Sequence, residues 1–372
     1  MVLGITGKVV MFNTLQRCWE GWPYLKKELS RMLSVKTGGL WAAPSSYYVI
    51  CTGRCNLRCT YCPQTPSRTA NAIELPRETM LRLVRETKQL SGSGYNISVS
   101  GGEPLVYKPI YEAMELAHQL GVNFGITTNG LLLTPANIKR VVGANPFNIN
   151  ISLESVIPEV NEQMRPTAGA TAIALRAIDN LLAEKARAGA RFGVFIKPTI
   201  TEINYRSLPQ MIRHFGKDGQ VQVNPQNFYW VAGGEQFWIK DADNFSAVIE
   251  ELISLKKEGY SLMPSPEALR GMVDYFRNPP RANNELPGTV PAKNCTIGYR
   301  SLFINPDGRT FFCEPLGIIG NINEASLPSL WRGSEARRKR RAALKCRIDC
   351  QMTCRRSVSL ATKAKIFLRM AR

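Results

Sequence analysis

No run of eighteen apolar residues occurs in the 372-residue chain, so a transmembrane helix is not expected. The stretch Met1 to Asn13 is partly apolar but lacks a basic leading segment and a small-residue cleavage site, which argues against a secretory signal. Acidic residues are scarce: 29 Asp and Glu stand against 48 Lys and Arg, a formal charge of +19. The imbalance is uneven, because Trp331 to Arg372 hold fourteen Lys/Arg and two Asp/Glu, or +12 of the +19. A basic patch implies nucleic acid, an anionic membrane surface or an acidic substrate. For Arg337 to Arg341 alone, a solvated helical face is the expectation. The basic run Arg332 to Lys345 has no interleaved aromatics to stack bases, which argues against nucleic acid. Ten cysteines without a secretory signal fit a reducing, cytoplasmic compartment where thiols serve as metal ligands rather than disulfides. The length suggests about two domains and permits a sizeable core.

What is present is organised around Cys55-Asn56-Leu57-Arg58-Cys59-Thr60-Tyr61-Cys62, directly after the apolar run Tyr47 to Ile50. Three thiolates at this spacing can converge from one loop, and such thiolates are the usual ligands of iron–sulfur clusters. Three sulfurs on a four-iron cube leave one iron open, as a catalytic metal site keeps an open position. A structural zinc, a disulfide or one face of a buried helix are the competing readings. Zinc and disulfides prefer four or paired cysteines, and Gly53 and Pro63 argue for a loop rather than a helix.

The C-x3-C-x-aromatic-C pattern, with Tyr61 as the aromatic, resembles the signature of radical S-adenosylmethionine (radical SAM) enzymes. The resemblance implies that SAM chelates the open iron and that Tyr61 packs near the adenine. Reductive cleavage of SAM would then yield a 5′-deoxyadenosyl radical that abstracts hydrogen from substrate. Gly101-Gly102-Glu103-Pro104 resembles the family's GGEP motif, which holds the SAM amino group; glycines also let backbone approach a ligand closely. Ser152 and Glu154, in Ser152-Leu153-Glu154-Ser155, resemble the ribose-contacting position. Arg165 resembles an arginine near the SAM carboxylate, with a surface salt bridge as the alternative. Thr127-Thr128-Asn129-Gly130 reads equally as a family feature and as a simple turn. Asn224-Pro225-Gln226-Asn227 is amide-rich and placed to face substrate.

Strand-like runs alternate with helical patterns from Ser46 onward. The strands are Ser46–Ile50, Tyr95–Ser100, Val122–Thr127, Phe147–Leu153, Phe192–Thr199 and Gln220–Asn224; helical patterns include Arg77–Leu90, Pro109–Leu120, Thr171–Ala188 and Ser207–Phe215. Six β/α units read as an α/β fold, a parallel barrel or part of one, and the resemblance implies a partial (β/α)6 TIM-like barrel; the site of such a barrel lies at the C-terminal strand ends. The expected divisions are an N-terminal helical extension over 1–45, the core barrel over 46–240, a helix and Pro-rich linker over 241–292, a cysteine-rich domain over 293–356 and a basic amphipathic tail over 357–372. In the extension, Trp22, Leu25, Leu29 and Met32 recur at helical spacing, which favours a helix closing the bottom of the barrel. With Lys26, Lys27 and Arg31 alongside, the alternative is an interfacial membrane helix.

Cys295, Cys313, Cys346, Cys350 and Cys354 form a second cluster around a hairpin, Leu302–Ile304 and Thr310–Cys313, turning at Asn305 to Gly308. It resembles the SPASM or twitch domains that bind auxiliary [4Fe–4S] clusters. Five thiols cannot ligate two cubes, so one auxiliary cluster is implied, on Cys295 and Cys313 plus two of Cys346, Cys350 and Cys354. A structural zinc is the alternative. Cys51 reads as packing. The resemblance implies an enzyme fed by a flavodoxin- or ferredoxin-type electron donor and modifying a peptide or protein. Lipid, sugar and small-molecule substrates are alternatives. Too few residues precede the first strand for a winged-helix leader-binding module, so a separate recognition partner is expected. In the tail, Leu360, Ala364, Phe367 and Ala371 share a helical face among cations, which suggests docking on an anionic bilayer, peripheral to the cytoplasm. A non-enzymatic zinc or iron–sulfur protein that binds nucleic acid is the rival class.

Overall fold

The computed structural model describes residues 26, 28–37, 40, 42–62, 72–229, 233–277 and 295–346. Strands β1 (Ser46–Ile50), β2 (Asn96–Ser100), β3 (Asn123–Thr128), β4 (Asn148–Ile151), β5 (Gly193–Ile196) and β7 (Val221–Val223) run parallel and adjacent in that order. A short parallel pair, β6 (Thr199–Ile200) and β8 (Gln226–Asn227), lies beyond them. The helices are α1 (residues 28–37), α2 (Arg77–Ser91), α3 (Ile110–Gln119), α4 (Pro135–Gly143), α5 (Pro158–Met164), α6 (Ala170–Arg187), α7 (Leu208–Phe215), α8 (Ala242–Lys257) and α9 (Pro266–Arg277). The sheet is open, as a partial barrel requires. All six expected strands are present. Among the described residues no helix is long and apolar enough to cross a membrane.

The period-two pattern of the strands separates the two faces of the sheet. Val49, Val99, Ile126, Ile149, Val194 and Val221 pair in one row, all buried under the helices. Burying each contributes roughly 1.5–3 kcal/mol. The opposite face carries Ser98, Thr127, Asn148, Asn150 and Gln222. Parallel sheets usually bury both faces in apolar side chains. Here the polar face satisfies itself laterally: Asn150 Nδ2 donates to Ile126 O and to Thr127 Oγ1, both at 3.1 Å. Gly125 makes room for this, because a Cβ there would stand 2.1 Å from Asn148 Oδ1.

The hairpin expected near the C-terminus is β9 (Ser301–Ile304) and β10 (Arg309–Phe311), continued by β11 (Ile318–Asn321). Gly308 has φ +84°, the left-handed value that the turn demands. β9 pairs in parallel with β1, Ser46 opposite Ser301, so the cysteine-rich segment extends the main sheet to nine strands. Helices α10 (Leu327–Arg332) and α11 (Ser334–Leu344) close it. Trp331 is buried and donates from Nε1 to Ala42 O at 3.1 Å, and Leu327 N–H donates to Glu86 on α2 at 2.7 Å.

Two expectations need correction. In α1, Leu29 is 53% exposed and Leu33 is 46% exposed, while Arg31 and Ser34 turn inward. Arg31 pairs with Glu28 within the helix, and Ser34 Oγ accepts from Ala42 N–H beyond it, so polar side chains line its inner face while Leu29 and Leu33 face solvent. Trp22 and Leu25 lie outside the described residues. In the basic run, Arg337, Arg338 and Arg341 are exposed as expected, but Arg340 is buried. The amphipathic tail 357–372 also lies outside the described residues.

Candidate functional site

The cysteine loop leaves the C-terminal end of β1, and two neighbouring strand ends clamp it. Gly102 N–H donates to Thr52 O and Glu103 N–H to Arg54 O, both at 2.8 Å. This explains the glycine pair: a Cβ on Gly102 would lie 1.9 Å from Arg54 O, and one on Gly101 2.5 Å from Thr52 O. The glycines admit the loop's own backbone, a contact that sequence reasoning had given to a ligand. Arg54 pairs with Glu74 at 2.7 Å and fixes the loop entrance. Cys59 is buried, and Cys55 and Cys62 are half-buried. Cys51 is wholly buried in the core, where burial and then the Glu103 carboxylate push its thiol well up.

Glu103, expected to meet the SAM amino group, is 1% exposed. It accepts from Leu105 N–H (3.0 Å), Thr128 Oγ1 (2.7 Å) and Asn129 N–H (2.7 Å). Burial raises its pKa, against the pull of these donors. Three of its roughly four acceptor positions are thereby used. Asn129 is no simple turn residue: its Nδ2 donates to Asn56 Oδ1 at 2.7 Å and lies 4.0 Å from Cys55 Sγ. Leu57 N–H also donates to Cys55 Sγ, at 3.4 Å. Hydrogen bonds of this kind to a cysteine sulfur can tune an iron–sulfur centre that the sulfur holds. Pro104 opens the short helical turn after Glu103 and is buried.

The far end of the loop is held by a buried ion pair. Arg165 Nη2 reaches Glu154 Oε1 at 2.6 Å, with Glu154 wholly buried and Arg165 4% exposed. Tyr61 Oη donates to the same oxygen at 2.5 Å, and Thr199 N–H donates to Oε2 at 2.6 Å. Burial lowers the Arg165 pKa, but the Tyr61 and Glu154 oxygens outweigh it and hold the net shift upward. Thr60 N–H donates to Met164 O at 2.9 Å, and Asn204 Nδ2 to Glu154 O at 2.9 Å. Three residues expected to make separate contacts to SAM are thus joined to each other, and the surface salt bridge considered for Arg165 is absent. Ser152 stands half-buried at the end of β4, its N–H donated to Thr128 O. Nothing in the sequence flagged Asn204 or the Met164 carbonyl, and Thr199 reads there only as the end of a strand; the chain's return path brings Asn204 and Thr199 to Glu154 and Met164 O to Thr60.

The donor set fits an iron–sulfur cluster. Among the described residues no three His, Cys, Asp or Glu side chains stand at metal-binding separation. An orphaned amide fits a ligand at the same end of the sheet. Asn227, in β8, has neither its side-chain N–H2 nor its C=O partnered among the described residues, and both are buried. In the C-terminal segment, α11 packs on the turns that follow Cys295 and Cys313 and ends two residues before Cys346. All three are half-buried. Cys350 and Cys354 lie outside the described residues.

A parallel α/β sheet, a three-cysteine loop after its first strand and a second cysteine set on an appended hairpin define an iron–sulfur enzyme of the radical type. Residues 49–207 match the radical SAM superfamily, and residues 295–355 match SPASM, an iron–sulfur cluster-binding domain. The chain belongs to the radical SAM superfamily and carries a C-terminal SPASM domain. It works with SAM at a [4Fe–4S] cluster and has an auxiliary iron–sulfur cluster. It is similar to PqqA peptide cyclase of Granulibacter bethesdensis, 26% identical over 321 residues, 82% of this chain and 79% of that protein. It is also similar to the AdoMet-dependent heme synthase of Methanosarcina barkeri, 23% identical over 330 residues, 85% of this chain and 90% of that one. The fold matches Streptococcus suis SuiB bound to precursor peptide SuiA, with TM-score 0.59 and 17% identity over 82% of this chain and 68% of that chain.

Proposed function

We propose that this enzyme modifies a peptide or protein. The observation that carries the reading is the likeness to PqqA peptide cyclase across about four-fifths of both chains. In this reading Cys55, Cys59 and Cys62 hold the catalytic cluster, which with SAM supplies hydrogen-atom abstraction. Gly101 and Gly102 seat the cysteine loop closely on the end of β2, and with it in place Glu103 and Pro104 complete the floor on which SAM rests. Tyr61, Ser152, Glu154 and Arg165 form its wall, and the buried ion pair keeps that wall rigid. Asn227 offers a donor and an acceptor together, which complements a peptide bond as well as a nucleobase edge. Cys295 and Cys313, with two of Cys346, Cys350 and Cys354, hold the auxiliary cluster. The domain divisions at 46–240 and 293–356 follow this division of labour. The charge of +19 complements an acidic flavodoxin- or ferredoxin-type electron donor in the cytoplasm.

The test uses anaerobically reconstituted enzyme, SAM, a reductant and deuterated short peptides encoded beside its gene. Deuterium should appear in 5′-deoxyadenosine. Transfer from a lipid or small molecule, and from no peptide, would overturn the peptide reading.

A second reading, lipid modification at an anionic bilayer, is supported by α1, where Leu29 and Leu33 are exposed near the exposed Lys26 and Lys36. Co-sedimentation with anionic vesicles at low salt, lost at high salt, is its expected signature.

A further inference from the structure

Among the described residues, the SPASM segment buries a cation with no anion beside it. Arg340, on α11, is 3% exposed. Its Nε donates to Gly298 O at 2.8 Å and its Nη2 to Trp331 O at 2.7 Å, both neutral acceptors. Nη1 is buried and has no partner among the described residues. The guanidinium lies over three rings, with centroids of Trp331 at 4.1 Å, Phe312 at 4.9 Å and Tyr299 at 5.7 Å. Among the described residues no carboxylate pairs with it, whereas its neighbours Arg338 and Lys339 share Glu335. Burial pushes its pKa down to about 10, which still leaves it protonated at neutral pH. A buried ion without a counter-ion is among the costliest groups a fold can carry, and a methionine could fill the same aromatic cage without that cost. The charge therefore calls for an anion.

The surroundings supply one. Gly298 lies three residues beyond Cys295, and Phe312 immediately precedes Cys313. A Cβ on Gly298 would stand 2.9 Å from Arg340 Cγ, so that glycine makes room for the arginine. The helix that bears Arg340 ends two residues before Cys346. A four-iron cube in four thiolates carries about two negative charges when oxidised and about three when reduced. We propose that Arg340 is the buried counter-charge of the auxiliary cluster and sets its reduction potential. This rests on the assignment of that cluster to Cys295 and Cys313. A fixed positive charge stabilises the more anionic, reduced form, so removing it lowers the potential.

The experiment uses the full chain with Cys55, Cys59 and Cys62 changed to alanine, reconstituted anaerobically, so that the auxiliary cluster alone reports. A parent that retains no iron overturns the cluster assignment, and this proposal with it. With the parent loaded, Arg340→Gln should show a more negative midpoint potential by electron paramagnetic resonance titration. Arg340→Lys, which keeps the charge, should stay near the parent. If Arg340→Gln loses its iron, retention by Arg340→Lys gives the same support for charge. The proposal fails if loaded Arg340→Gln keeps the parent's potential. It fails equally if both variants lose iron alike, since that makes the arginine's shape the whole of its role.

Discussion

Two ion pairs of nearly equal length make a sharp test of how the cysteine loop is held. Arg165 and Glu154 are 2.6 Å apart and almost wholly buried; Arg213 and Glu251 are 2.7 Å apart and about half exposed. Replacing Arg165 by Met leaves the Glu154 carboxylate buried with the Tyr61 hydroxyl and the Thr199 N–H but no cation. Breaking a buried pair from one side costs about 3–5 kcal/mol. Breaking an exposed one costs about 0–1 kcal/mol. Anaerobic urea denaturation should therefore show a large loss of stability for Arg165→Met and almost none for Arg213→Met. Removing both charges, as Glu154→Gln with Arg165→Met, leaves no stranded ion. The double variant should recover roughly 1–3 kcal/mol relative to the sum of the singles. Because Tyr61 shares the Glu154 oxygen and adjoins Cys62, iron loading at the first cluster should fall in Arg165→Met and return in the double variant. Equal costs for Arg165→Met and Arg213→Met would refute the claim that this pair supports the loop.

Three further outcomes are expected. Changing Cys55, Cys59 and Cys62 to alanine should take iron from about eight per chain to about four and abolish SAM cleavage; cleavage by that variant would sink the ligand assignment. Gly102→Ala should prevent stable cluster loading, since its methyl group meets Arg54 O at 1.9 Å, whereas Gly143→Ala, with nothing within 4 Å, should be neutral or stabilising by less than about 1 kcal/mol. Glu103 has a raised pKa from burial, so its ionisation works against the fold: its contribution to stability declines as pH climbs from the unfolded value to the folded one. Glu103→Gln should flatten that acid limb in a stability–pH profile while weakening the fold at Asn129, where a carboxylate acceptor is lost.

Local pattern carried the outline of this protein. The spacing of Cys55, Cys59 and Cys62, the Gly-Gly-Glu-Pro run and six period-two strands are all short-range features. Each element forms for reasons contained within about fifteen residues, so strand order and the position of the cysteine loop were legible. The hairpin around Asn305 to Gly308 was legible for the same reason, because a turn's chemistry is local. Long-range closure decided the rest. Glu154 meets Arg165 only because α5 returns the chain to the end of β4, and Thr199 completes the carboxylate from the start of β6. The Gly101–Gly102 pair looked like a ligand floor, and only the approach of Thr52 and Arg54 shows what the missing side chains make room for. Arg340 sits in a run of cations that reads as solvated. Its burial depends on which face of α11 turns toward Trp331, Phe312 and Tyr299, and packing alone chooses that face. Composition and spacing determine which groups a chain possesses; tertiary structure decides which charges must live together out of water, where an electrostatic interaction is strongest.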